Sequence, residues 1–159
     1  FCYPTPSEFE ESNIQIVYLG WFWKDWSIMN NAMYSMVYGL QVRDDIVQNT
    51  GDITGVSSLD EDWVTLNQMI KYYKYGFGRV SDYVNEAIRE EIITRDEGII
   101  LLEEFDGSCG DKYIDSFCEY IEISVQEFWD NVRKSVNKDL FDIDESGRIT
   151  KKFKVGKGL

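Results

Sequence analysis

From Ser58 onward the chain is written largely in one period. Apolar side chains recur every three or four positions, and three of the runs open on a hydroxyl residue with a glutamate three places later. That spacing stacks apolar groups on one face of an α-helix, so most of the chain has only helical ways to bury them. The openers are SLDE at 58, TRDE at 94 and SVQE at 124. Each has the pattern of a capping box, in which hydroxyl and carboxylate each accept a backbone N–H at the helix start. The first helix carries Trp63, Leu66, Met69, Ile70 and Tyr73 on one side; the second carries residues 99–102 and Phe105 and stops at Gly107. The third carries Val125, Phe128, Trp129, Val132 and Val136. Two further helices are expected at about 81–91 and 112–122, the latter with Tyr113, Ile114, Phe117, Cys118 and Ile121 at helical spacing. The aromatic and methionine side chains of these stripes are expected to be core.

The stretches on either side read differently. The run IQIVYLGWFW from Ile14 is β-branched at its start and broken by Gly20, which predicts a short buried strand or extended segment. Asp25 is placed to cap a helix reaching about Leu40, with Met29, Met33, Met36, Val37 and Leu40 on one face. Residues 41–57, polar and punctuated by glycine, read as a mobile connection, which divides the chain into 1–57 and a helical 58–159. Near the end, DIDESGRI places Asp142, Asp144, Ser146 and Gly147 as in the first half of a calcium loop. The twelfth position of such a loop, however, is Phe153, where the bidentate glutamate belongs, and a polar hairpin turn is the better reading. The expected fold class is therefore mainly α, with a short N-terminal extended segment and a C-terminal β-hairpin.

Composition narrows the chemistry. There is no histidine, which removes the commonest general base, the commonest zinc ligand and every histidine-activated nucleophile. A net charge of -13 disfavours nucleic acid and anionic membrane as partners of the bulk surface. Cys2, Cys109 and Cys118 are odd in number and lack CxxC spacing; free thiols in the cytoplasm are expected. No apolar run approaches the roughly 20 residues of a membrane span. A start on Phe1 reads as that of a fragment or a processed chain.

Against this acidity, KYYKYGFGRVSD keeps Lys71, Lys74 and Arg79 with no carboxylate before Asp82. Gly76 and Gly78 break the helix and expose backbone N–H groups ahead of the next one, the makings of an anion site, and Tyr75 and Phe77 offer faces to a sugar or base. The glycines do not complete GxGxxG, and a helix corner with solvated lysines has the same pattern. A second cluster, WFWKDW, sets Lys24 among tryptophans; Trp21 and Trp23 are either core lining or, with Lys24, a pocket wall.

Taken together, YLGWFWKDW, the block from Lys71 to Gly107 with its ITRDEG helix start, YIEISVQEFWDNV and the closing KFKVGKGL resemble the C-terminal part of the N-acetyl sugar amidotransferases. These are PP-loop ATP pyrophosphatases of lipopolysaccharide O-antigen and nonulosonic acid biosynthesis. Tyr83 stands where the family often has an acidic residue. The resemblance implies the helical C-terminal portion of an α/β PP-loop enzyme. Such an enzyme converts an acetamido group of a nucleotide-linked sugar into an acetamidino group. ATP adenylylates the amide oxygen, pyrophosphate leaves, and ammonia from a partner glutaminase and synthase pair displaces AMP. ATP and magnesium would belong to a PP-loop domain upstream of Phe1 and would not be bound by this chain alone. Within the chain, Lys74 and Arg79 are the expected anion contacts, Lys71 and Asp82 their support, and Trp21, Trp23 and Lys24 a possible pocket wall. The reading from a different class is a non-catalytic module that docks a partner through its tryptophan and methionine faces.

Overall fold

The structure is a computed structural model that describes residues 3–23 and 26–157, Trp21 by its backbone alone. The chain packs as two units, Phe1–Tyr38 and Gly39–Leu159.

In the first unit α1 spans Pro6–Glu11, opened by a capping box between Thr5 and Glu8. A single 3-10 turn, Leu19–Trp21, separates it from α2, Ile28–Val37. Ser27 caps α2 by accepting the Asn30 N–H at 3.0 Å. The expected cap, Asp25, lies outside the described residues. Residues 14–18 form no helix or strand and are not buried; Ile14, Ile16 and Val17 are all more than half exposed. The methionine face of α2 is likewise uncovered. Ala32 is its buried residue, whereas Met33, Met36 and Val37 are exposed. Both departures have one physical reason: helical or strand spacing creates an apolar face but does not supply a second surface to cover it.

In the second unit the helices are α3 Val47–Thr50, α4 Val64–Tyr75, α5 Arg79–Arg89, α6 Arg95–Phe105, α7 Asp111–Tyr120 and α8 Val125–Ser135. Strands β1, Phe141–Ile143, and β2, Ile149–Lys151, pair antiparallel with Ile143 opposite Ile149. The described residues are thus mainly α, with the hairpin where the turn residues placed it. The main core joins Leu66 and Met69 of α4, Ile114 and Cys118 of α7, and Phe128 and Val132 of α8. A second seam closes α5 on α6 at Gly98, where an added Cβ would come within 2.7 Å of Val84 Cγ1. Phe141 of β1, fully buried, meets Tyr72, Tyr73 and Phe153 edge-on at centroid distances of 5.3, 5.6 and 5.7 Å, and so fastens the hairpin to α4.

Residues 41–57 are tied in by specific bonds. Gly55 C=O accepts the Arg43 N–H at 2.7 Å, and the buried Asp52 carboxylate accepts the backbone N–H groups of Thr54 and Ser57. Of the three expected capping boxes, that at Thr94 forms in full, and at Ser124 the serine accepts the Glu127 N–H. The one at Ser58 does not form. Ser58 has a φ of +46° and its carbonyl is held by Arg43 and by the Glu61 N–H, so the chain turns there; Glu61 accepts the Trp63 N–H, and α4 starts only at Val64. In the hairpin, Asp144 Oδ1 accepts the Ser146 hydroxyl and the N–H groups of Ser146 and Arg148, while Asp142 pairs with Lys152 at 3.1 Å. The calcium-like spelling is spent on the turn itself.

Candidate functional site

The corner between α4 and α5 is built by two glycines. Gly76 ends α4 in the left-handed conformation, φ +80°, where an added Cβ would sit 3.0 Å from Leu140 Cδ1. Gly78 is the N-cap of α5 and is fully enclosed; there a Cβ would come 2.6 Å from Asp106 Oδ1. Both glycine N–H groups are paired, contrary to the expectation that the corner leaves them open. Gly76 N–H goes to Tyr72 C=O at 2.7 Å, and Gly78 N–H goes to Asp106 Oδ2 at 3.0 Å. The Ser81 hydroxyl donates to the same carboxylate oxygen at 2.7 Å. A carboxylate from the end of α6 therefore occupies the start of α5, where the helix dipole favours negative charge.

The expected anion contacts spread around this corner. Lys71 Nζ lies 3.2 Å from Asp82 Oδ2 and 4.7 Å from the centre of the Phe77 ring. Lys74 is in the exposed last turn of α4, 5.6 Å from the Tyr75 ring. Tyr75 and Phe77 are themselves exposed and tilted together at 6.3 Å. Lys71, Lys74, Tyr75 and Phe77 thus make one outward patch of two ammonium groups on two rings, with Asp82 balancing Lys71. Arg79 turns elsewhere. Its guanidinium is 6.0 Å from the Tyr83 ring, and the residue lines a narrow crevice with Arg43, Asp52, Ser57, Val64 and Gln68. Among the described residues Arg79 has no carboxylate partner. Gln68 Oε1 is buried there without a hydrogen bond.

In the first unit Trp23 is 66% exposed, which excludes core lining for that residue. A shallow open hollow is lined by Tyr18, Leu19, Gly20 and Trp26, not by Trp23. The Trp21 side chain and Lys24 lie outside the described residues.

Sequence spacing misses two residues of this region. Asp106 acts on a helix 28 positions upstream, and no local pattern announces a cap delivered from such a distance. Tyr72 reads as one more aromatic of a helical stripe. Its ring packs under Gly107, where a Cβ would approach Tyr72 Cδ1 to 2.3 Å, and Tyr72 and Asp106 line a cleft of about 220 Å³ between α4, the start of α5, the end of α6 and residues 153–156.

Residues 50–155, about two thirds of the chain, match the family described as LPS biosynthesis protein WbpG-like, C-terminal domain. The chain belongs to that family. The match takes in the whole corner, the hairpin and the cleft apart from Gly156, and leaves residues 18–26 outside it. No curated protein matches the chain. Membership of the WbpG-like C-terminal family places the chain among lipopolysaccharide biosynthesis proteins. No described helix is long and apolar enough to cross a membrane.

Proposed function

We propose that this WbpG-like domain is the sugar-nucleotide-binding part of an ATP-dependent N-acetyl sugar amidotransferase, one that turns an acetamido group into an acetamidino group during surface polysaccharide synthesis. The observation that carries the reading is the α4–α5 corner. In a chain of net charge -13, two lysines stand over two exposed aromatic rings, and Arg79, which lines the neighbouring crevice, has no carboxylate partner among the described residues. Cations beside flat apolar faces are what a nucleoside diphosphate asks of a protein surface: charge for the phosphates and a ring for the base. The corner does not fit a triphosphate, because the start of α5 already holds Asp106. By the family resemblance, ATP activation belongs to a PP-loop domain and ammonia to a glutaminase and synthase pair; this domain binds and orients the sugar nucleotide in the cytoplasm.

The test is Arg79→Ala in the complete enzyme. The expected outcome is a rise in KM for the sugar nucleotide with an unchanged thermal midpoint. An unfolded variant or an unchanged KM would remove Arg79 from the site; Lys74→Ala, in the exposed patch, is expected to raise the same KM, and an unchanged KM in that variant would remove the corner.

A second reading, a docking module, is favoured by the first unit, whose Phe22, Trp23, Trp26, Met33 and Tyr34 are exposed together. Light scattering decides it. A clean monomer at all concentrations that binds no other domain of the enzyme would rule it out.

A further inference from the structure

The first unit carries a face that the sugar-nucleotide reading does not use. From Ile14 to Tyr38 only Lys24 and Asp25 are charged, in a chain of which 28% is charged. Three of the five tryptophans and three of the four methionines fall in the same stretch. We infer that two copies of this chain pair through that face, α2 of each copy lying in the open hollow of the other. The inference rests on the docking reading and commits it to one occupant.

Area sets the scale. Tyr18, Phe22, Trp23, Trp26, Tyr34 and Tyr38 are each between 61% and 80% exposed. At about 200 Å² to a ring they offer roughly 800 Å² between them, before Met33, Met36 and Val37 are added. The largest apolar patch of an ordinary monomer is about 300–600 Å², whereas one side of a standard interface is about 800 Å². The first unit thus exposes what one half of a stable dimer buries.

Shape makes the face complementary to itself. Tyr18, Leu19, Gly20 and Trp26 line an open hollow of about 620 Å³. Helix α2 supplies the projecting counterpart. Met33 with Val37, and Tyr34 with its C-cap Tyr38, form two exposed rows at helical spacing, and the two tyrosine rings lie 5.0 Å apart. A two-fold contact needs both shapes on every copy, because whatever one copy offers the other offers in return. A recess and a projection on one unit meet that need.

The chemistry favours the same occupant. A small-molecule site buries about 70–90% of its ligand, and this hollow is too open to do so. A helix that lies on a membrane carries Lys and Arg along its polar face, and α2, IMNNAMYSMV, has no charged residue at all. A strongly charged partner would meet only Lys24 and Asp25, which cancel. Aromatic residues and methionine with few charges are the composition of an interface core, and homodimers have the most apolar ones. Each copy also carries a net charge of -13, so the copies repel at long range, and salt, by screening that repulsion, strengthens an apolar contact.

The experiment is sedimentation velocity of the full chain from low to high micromolar concentration, in low and in high salt. The expected result is a reversible step from the 18.6 kDa chain to twice that mass, with no larger species, favoured by salt. A hydrophobic dye bound by the dilute chain should be released as the dimer forms. Val37 is 81% exposed and ends α2, where a cation suits the helix dipole, so Val37→Lys should keep the thermal midpoint yet weaken the dimer at least tenfold. Should that variant lower the midpoint, Tyr34→Ser on the neighbouring row takes its place. Tyr120→Ser, at an exposed ring of the second unit, should leave the dimer unchanged. A chain that stays monomeric, one that grows without limit, a dimer weakened by salt, or one indifferent to the α2 variants would each overturn the inference. A monomer that binds another domain of the enzyme ends the pairing and keeps the docking reading, whereas a monomer that binds none ends both.

Discussion

Single residues in this domain are held by close approaches that can be tested one at a time. Gly107 combines a φ of +83° with a site where a Cβ would strike the Tyr72 ring, whereas Gly39, at φ +98°, has nothing within 4 Å. Alanine at 39 should therefore cost only the backbone term, about 1–2 kcal/mol, and alanine at 107 at least ~1 kcal/mol more from the clash, measured by urea unfolding. Equal losses would mean that the Tyr72 ring yields freely. Asp45 offers a test by pH. The Lys112 ammonium at 2.8 Å, then the Tyr113 hydroxyl and Asn49, hold its carboxyl far below the usual carboxylate range, outweighing the partial burial that acts the other way. Because the folded value lies below the unfolded value of about 3.9, the stabilisation is complete above about pH 5 and is lost as pH falls toward the folded value. Asp45→Asn should melt below the parent protein at pH 7, with the gap closing below about pH 4; a gap that stays constant into acid would mean that ionisation of Asp45 is not what stabilises. None of these residues stands out in the sequence. Asp45 belongs to a stretch that read as connection, and Gly107 read as a helix stop, which it is, without the ring beneath it.

At the scale of elements, the sequence is legible where a signal is local and complete. Helical spacing located α5 to α8, and the DESG turn located the hairpin, since both depend on neighbours within four residues. It misled where the same local signal had competition. SLDE and TRDE are spelled alike, yet Ser58 sits in a turn gripped by Arg43 while Thr94 caps α6. Thr94→Ala should thus cost about 1 kcal/mol in chemical denaturation, and Ser58→Ala less than about 0.5 kcal/mol. A loss at Ser58 as large as that at Thr94 would refute the assignment of the start of α4. The candidate site divides in the same way: the lysines, Arg79 and their aromatics were readable from composition against an acidic background, but Asp106 and the cleft exist only through packing of segments distant in sequence.

Across the whole molecule, the two units differ in how they handle apolar surface. Residues 39–159 close a core of their own, whereas the first unit leaves Trp23, Trp26, Met33 and Met36 facing outward. A shortened chain of residues 39–159 should keep a cooperative thermal transition and bind little of a hydrophobic dye, while the full chain binds it strongly. Loss of cooperativity on shortening would show that the second unit depends on the first. The placement of Asp106 has a further consequence. A carboxylate fixed to the end of α6 is a tethered competitor: its effective concentration at the start of α5 exceeds that of any dissolved anion, so phosphate or sulfate from solution is kept off that helix end. The same tether ties the order of α5 to the order of α6, and one side chain thereby acts as both a plug and a splint.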